Sequence, residues 1–225
     1  MVCMKRLFSI FLILAVLVAA SLNLFASAIC AESLYIRKIV SVVYDDSGSM
    51  CGNKWAYANY AMQSFCGMLN SEDQLYITYM SRSQVDQNYE PEKIDLSSEG
   101  IQDSVDSIRK HKDSGSTPFE AVKKAYDKLK SIDDSNPNTQ YWLVVITDGA
   151  FNETNKMSAD ESKYFLNEKF KDYNGQIMPN GTNPQITFLG IGNVVMPDEN
   201  QNKGIFTYKA QNEDEIINAM SQMSD

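Results

Sequence analysis

Histidine is nearly absent: His111 is the single one in 225 residues, and there are only four cysteines, none in a Cys-x-x-Cys pair. A zinc centre built from Cys and His is thereby excluded. Cations are also short, with 20 Lys and Arg against 29 Asp and Glu and a formal charge of −9. An acidic chain of this kind is a poor nucleic-acid binder, and no nucleic-acid partner is expected. Long apolar runs are missing everywhere except at the N-terminus, so no other stretch could span a bilayer. There is no internal repeat, no low-complexity tract and no interdomain linker, and the length suits one domain with a real core.

The one apolar run, Leu7 to about Ala20, follows Lys5 and Arg6 and leads to Ala26-Ser27-Ala28, a small-x-small pattern. This is the layout of a secretory signal peptide, to be set aside from the fold. The alternative is an uncleaved anchor over Leu7–Ala28, close to the roughly 20 residues a span needs. On either reading the remainder is exported, secreted or held at the cell surface. The expected division is residues 1–28 as signal peptide or membrane anchor, 29–35 as a short linker and 36–225 as the domain. Loss of residues 1–28 removes Lys5 and Arg6 and no acid, which takes the charge from −9 to −11. Cys51 and Cys66 flank a helical stretch that holds them beyond the ~7 Å reach of a disulfide. Cys66 reads as a small buried thiol.

What the chain does have is concentrated at Val42-Val43-Tyr44-Asp45-Asp46-Ser47-Gly48-Ser49-Met50. A β-branched apolar run stops at two carboxylates, two hydroxyls and a glycine. This reads as a buried strand that delivers an oxygen-rich loop, and in open α/β sheets ligands sit at the carboxyl ends of strands. Asp45, Ser47 and Ser49 alternate, so a tight loop can turn all three towards one point. Carboxylate and hydroxyl oxygens suit a hard cation, Mg2+ or Mn2+. Asp46, between motif positions, reads as an exposed or loop-bonding acid.

Taken in order, residues 36–45 form a strand, 54–69 a helix apolar around most of its circumference, and 73–80 a strand by alternation. Residues 89–96 form a short antiparallel edge strand, with Pro91 at its start. An amphipathic helix spans 98–110, and Arg109 to Lys112 read as its solvated C-terminus. Thr117 and Glu120 are spaced as a capping box around Pro118, opening a helix that runs to Ile132. Residues 141–147 are continuously apolar, as in a strand buried on both faces of a parallel sheet, and end in Asp148-Gly149. A helix over 158–173, a strand over 185–192, a short strand over 204–208 and a helix over 213–223 complete the chain. Asn152-Glu153-Thr154 and Asn180-Gly181-Thr182 match the glycosylation sequon. The eleven methionines read as core filler.

Asp45-x-Ser47-x-Ser49 after a first strand, Thr117 at a helix start and Asp148-Gly149 after a buried strand come in that order. With Phe188-Leu189-Gly190-Ile191-Gly192 and the final helix, they resemble the von Willebrand factor type A domain and its metal-ion-dependent adhesion site over about residues 36–223. The resemblance implies a Rossmann-like α/β three-layer sandwich, a mostly parallel sheet with one antiparallel edge strand and helices on both faces. It also implies that Ser47 and Ser49 bind the metal directly, while Asp45, Asp148 and Thr117 act directly or through water. Mg2+ or Mn2+ is expected ahead of Ca2+. A remaining position is left for a carboxylate of a partner protein, or water.

The function expected is therefore an exported protein-binding or adhesion module, not an enzyme. A structural scaffold with an unused metal site is the alternative. A serine hydrolase would need His111 as base and has no Gly-x-Ser-x-Gly elbow. A Mg-dependent phosphatase resembling the haloacid dehalogenase family would want Asp-x-Asp where this chain has Asp45-x-Ser47.

Overall fold

The computed structural model describes residues 35–86, 88–110, 115–149 and 151–224. The chain divides into two compact units, Met1–Ile36 and Arg37–Asp225, and the second carries the fold described here. The leader expected over 1–28 and His111 lie outside the described residues. Among the described residues no helix is long and apolar enough to cross a membrane.

The elements in order are β1 (Lys38–Tyr44), α1 (Asn53–Met68), β2 (Gln74–Tyr79), α2 (Met80–Val85), β3 (Glu92–Ile94), α3 (Ile101–Lys110), α4 (Glu120–Ser131), β4 (Gln140–Thr147), α5 (Ala159–Asn174), β5 (Gln185–Ile191), β6 (Ile205–Ala210) and α6 (Glu213–Ser224). Short 3-10 turns occupy Asn152–Thr154 and Gln201–Lys203. The six strands lie in the order β3-β2-β1-β4-β5-β6. Every neighbouring pair is parallel except β2 with β3, which is antiparallel. This is the expected three-layer sandwich.

The strand sequences explain why both faces are covered. In a strand alternate residues face opposite sides. On one face Val40, Val42, Tyr44, Val144 and Ile146 pack with Ala58, Met62 and Phe65 of α1, Ile108 of α3 and Ile216 of α6. On the other, Ile39, Val43, Leu143, Val145 and Phe188 pack with Val122, Ala125 and Leu129 of α4 and Phe170 of α5. With neither face open to water, the β1 and β4 sequences read as near-continuous apolar runs.

Sheet order reverses between β1 and β4. The chain steps outward through β2 and β3, then returns across the sheet to place β4 on the other side of β1. At such a switch point the loops leaving adjacent strands diverge and open a crevice. Tyr44 pairs with Ile146, and the Asp45 N–H extends the ladder to Ile146 O at 3.0 Å. Asp45 and Asp148 therefore leave neighbouring strands at the same edge of the sheet.

Three local expectations are corrected. Residue 80 ends no strand: it opens α2, a six-residue helix. The capping box at Thr117 and Glu120 is not what starts α4. That helix has Phe119 at its N-cap, and the Phe119 N–H donates to Glu153 Oε2 at 2.9 Å. Helix α1 is buried on one face only, since Tyr60 is 42% exposed. Helix α5 opens on a capping box formed by Ser158 and Glu161, which is not among the features expected from the sequence.

Candidate functional site

The site is built where β1 and β4 end. The Asp45 side chain is fully buried and meets three donors. Ser47 N–H donates to Oδ1 at 3.0 Å, closing an Asx-type turn that sets the direction of the loop. Thr147 Oγ1 donates to Oδ2 at 2.6 Å, and Asp148 N–H approaches the same oxygen at 3.4 Å. Burial pushes the Asp45 carboxyl above its ordinary range; the bonds from Ser47 and Thr147 pull it back, and the Asp148 charge raises it further.

From Ser47 the contacts continue through hydroxyls. Ser47 Oγ and Ser49 Oγ are 3.0 Å apart, and Ser49 Oγ donates to Asp148 Oδ1 at 2.8 Å. Four of the five expected residues, Asp45, Ser47, Ser49 and Asp148, are thus joined in one hydrogen-bonded group spanning two loops. Thr117 belongs to the loop before α4. Its N–H and hydroxyl both reach Asn152 Oδ1, at 3.3 and 3.4 Å, and Asn152 N–H donates back to Thr117 O at 2.9 Å. Asn152 lies four residues beyond Asp148, so Thr117 is tied to the Asp148 loop.

Asp46, expected as an exposed or loop-bonding acid, instead bonds the start of α2. It is fully buried and accepts the Ser81 N–H at 2.9 Å and the Ser81 hydroxyl at 2.5 Å. A carboxylate at the first turn of α2 offsets the unpaired N–H groups there. Gly115 packs on the same serine. A Cβ at Gly115 would stand 2.4 Å from Ser81 Cβ and 2.6 Å from Ser81 Cα. Only a glycine lets the Gly115-Ser116-Thr117 loop approach this closely.

No local pattern marks Lys54 as part of the site. Its Nζ donates to Asp148 Oδ2 at 2.6 Å, with the Lys54 side chain 45% exposed and that of Asp148 wholly shielded. The hydrogen bond that Lys54 donates to Asp148 holds the ammonium above its ordinary pKa, against the opposing effect of burial. Among the described residues Cys51 and Cys66 are free thiols, Cys51 exposed and Cys66 buried. Burial pushes the Cys66 thiol up to about 12.

The donor set fits a hard cation. Among the described residues no three His, Cys, Asp or Glu side chains converge, so a metal here would be held by hydroxyls together with two acids. Oxygen donors of this kind suit Mg2+ or Mn2+.

The model of the von Willebrand factor type A domain family matches residues 40–220. The chain belongs to that family. Among solved structures, this type A domain is similar to a von Willebrand factor type A protein from Catenulispora acidiphila, with a TM-score of 0.54 at 13% identity, over 84% of this chain and 41% of that one. The PilB minor pilin of Streptococcus sanguinis matches with a TM-score of 0.56 at 11% identity, over 85% and 61%. The pilus adhesin SpaC of Lactobacillus rhamnosus GG, in its open conformation, matches with a TM-score of 0.56 at 14% identity, over 86% and 30%. At these identities the likeness is one of fold, and the chain spans less than two thirds of each of these proteins. No curated protein sequence matches it.

Proposed function

We propose that this type A domain is an exported binding module that grips an acidic group of a partner protein through a divalent cation. Ser47, Ser49, Asp45, Asp148 and Thr117 hold the cation, Mg2+ or Mn2+ before Ca2+. In this reading residues 1–28 are the signal peptide or anchor, 29–35 a linker and 36–225 the domain. The observation that carries it is the Ser47–Ser49–Asp148 contact chain. It brings hydroxyls from the β1 loop onto an acid from the β4 loop at the switch point.

The charges support the same reading. Two carboxylates against a dication, with the remaining donors neutral, leave no surplus negative charge at the site. The ion stays attractive to an incoming carboxylate, and Mg2+ keeps exchangeable waters that such a group can replace. A chain of net charge −9 thus gains a way to hold an acidic partner that its own field opposes. The pilin and pilus-adhesin neighbours are consistent with an adhesive role. The base that a serine hydrolase would need, His111, lies outside the described residues, and no enzymatic step is assigned.

The Lys54–Asp148 pair favours a second reading, a scaffold whose site is completed by its own ammonium. Proton relaxation of water around Mn2+ separates the two. Bound Mn2+ that keeps water enhances relaxation, and a short Asp-containing peptide that replaces this water lowers it. The adhesive reading expects both effects in the full chain and neither in Asp45→Ala. No Mn2+ binding, or equal binding by Asp45→Ala, contradicts it and leaves the scaffold.

A further inference from the structure

Both oxygens of Asp148 already have partners, Ser49 Oγ on Oδ1 and Lys54 Nζ on Oδ2. A cation that takes Asp148 as a ligand, or through a ligating water, must share or displace one of them. Ser49 is itself part of the donor set. Lys54 is not, and it carries a positive charge that opposes any ion at that point.

The position of Lys54 is unusual on electrostatic grounds. It is the second residue of α1, whose first turn contains no acid. A cation there faces the positive end of the helix dipole and is disfavoured. The contact with Asp148 offsets that cost. Gly52, at φ 60°, makes the tight turn that brings the first turn of α1 back to the strand ends, where Lys54 can reach across. The side chain is almost half exposed, and its flexible four-carbon stem lets the ammonium leave for water without moving the helix.

We infer that Lys54 is a tethered counter-cation that competes with the divalent ion for Asp148 and so sets the cation concentration at which the site loads. This rests on the metal-site reading above and deepens it. Cation capture releases Lys54 from Asp148, and loss of the cation lets the ammonium return.

Calorimetric titration of the full chain with Mn2+ alone tests it, in wild type, Lys54→Met, Lys54→Gln and Lys54→Arg. Met and Gln remove the charge, and Arg keeps it. The expected result is binding about threefold to fivefold tighter in Lys54→Met and Lys54→Gln, the scale of a partly exposed ion pair, with Lys54→Arg no tighter than wild type. In EDTA, urea unfolding of Lys54→Met, Asp148→Asn and the double variant should show a coupling that the single variants do not sum to. Wild-type binding with equal or weaker binding in both neutral variants overturns the inference and leaves the metal site standing. No Mn2+ binding in any variant overturns the metal site and the inference together.

Discussion

Thr147 Oγ1 donates to Asp45 Oδ2 at 2.6 Å across 102 residues of chain. The last residue of β4 thereby aims the first acid of the β1 loop, and both side chains are buried. Thr147→Val keeps the shape and removes the donor, leaving that oxygen the long 3.4 Å approach of Asp148 N–H. A hydrogen bond to a buried charged group is worth about 1.5–3 kcal/mol. Urea denaturation in EDTA should show a loss of that size in Thr147→Val and most of it restored in Thr147→Ser. Equal stability of Thr147→Val and wild type would contradict the assigned bond.

Asp46 supports the site from behind. Asp46→Ala strips the Ser81 N–H and hydroxyl of their buried acceptor, and unpaired buried donors cost about 1–3 kcal/mol each. The expected readout is faster amide exchange in α2 than in β1 and β4. Uniform exchange across all three would show that Asp46 does not act locally.

Gly115 makes the complementary contact. Gly115→Ala places a methyl against Ser81 backbone, and overpacking of this kind costs about 1–3 kcal/mol. Because the loop carries Thr117, the substitution should also weaken Mn2+ binding, measured by the same titration. Unchanged stability and affinity would mean the loop relaxes freely.

Cys51 and Cys66 should differ in reactivity. The thiolate is the nucleophile, and Cys66 combines burial with a pKa near 12. With Cys3 and Cys30 replaced by serine, a disulfide reagent at pH 8 should label one thiol quickly in wild type and none in Cys51→Ser. Labelling of Cys66 should appear only when urea unfolds the domain. Rapid labelling of native Cys51→Ser would contradict the packing of α1.

Much of this architecture is written in local patterns. Val42-Val43-Tyr44 before Asp45, and the strand run Tyr141 to Thr147 before Asp148, carry the strand ends and with them the two acids. What was hidden depends on contacts distant in sequence. Lys54 looks like any polar helix residue, because its partner is 94 positions away. Asp46 could be read as exposed only because Ser81, 35 residues on, gives no local sign of pairing with it. Helix α2 is six residues of mostly polar character, too short for a 3.6-residue period to show. At α4, Thr117 and Glu120 matched a capping box, but Glu153 from the β4 loop supplies a bond to the Phe119 N–H.

The most direct test of the metal site is thermal unfolding of the full chain in EDTA, Mg2+, Mn2+ and Ca2+, beside Asp45→Ala. A ligand at 100 times its Kd that binds only the native state adds about 2.7 kcal/mol, or roughly 5–10 °C for a domain of this size. The account predicts that rise with Mg2+ or Mn2+ in wild type, a smaller one with Ca2+, and none in Asp45→Ala. An unchanged Tm at saturating metal, or the same rise in Asp45→Ala, would contradict a cation held at Asp45.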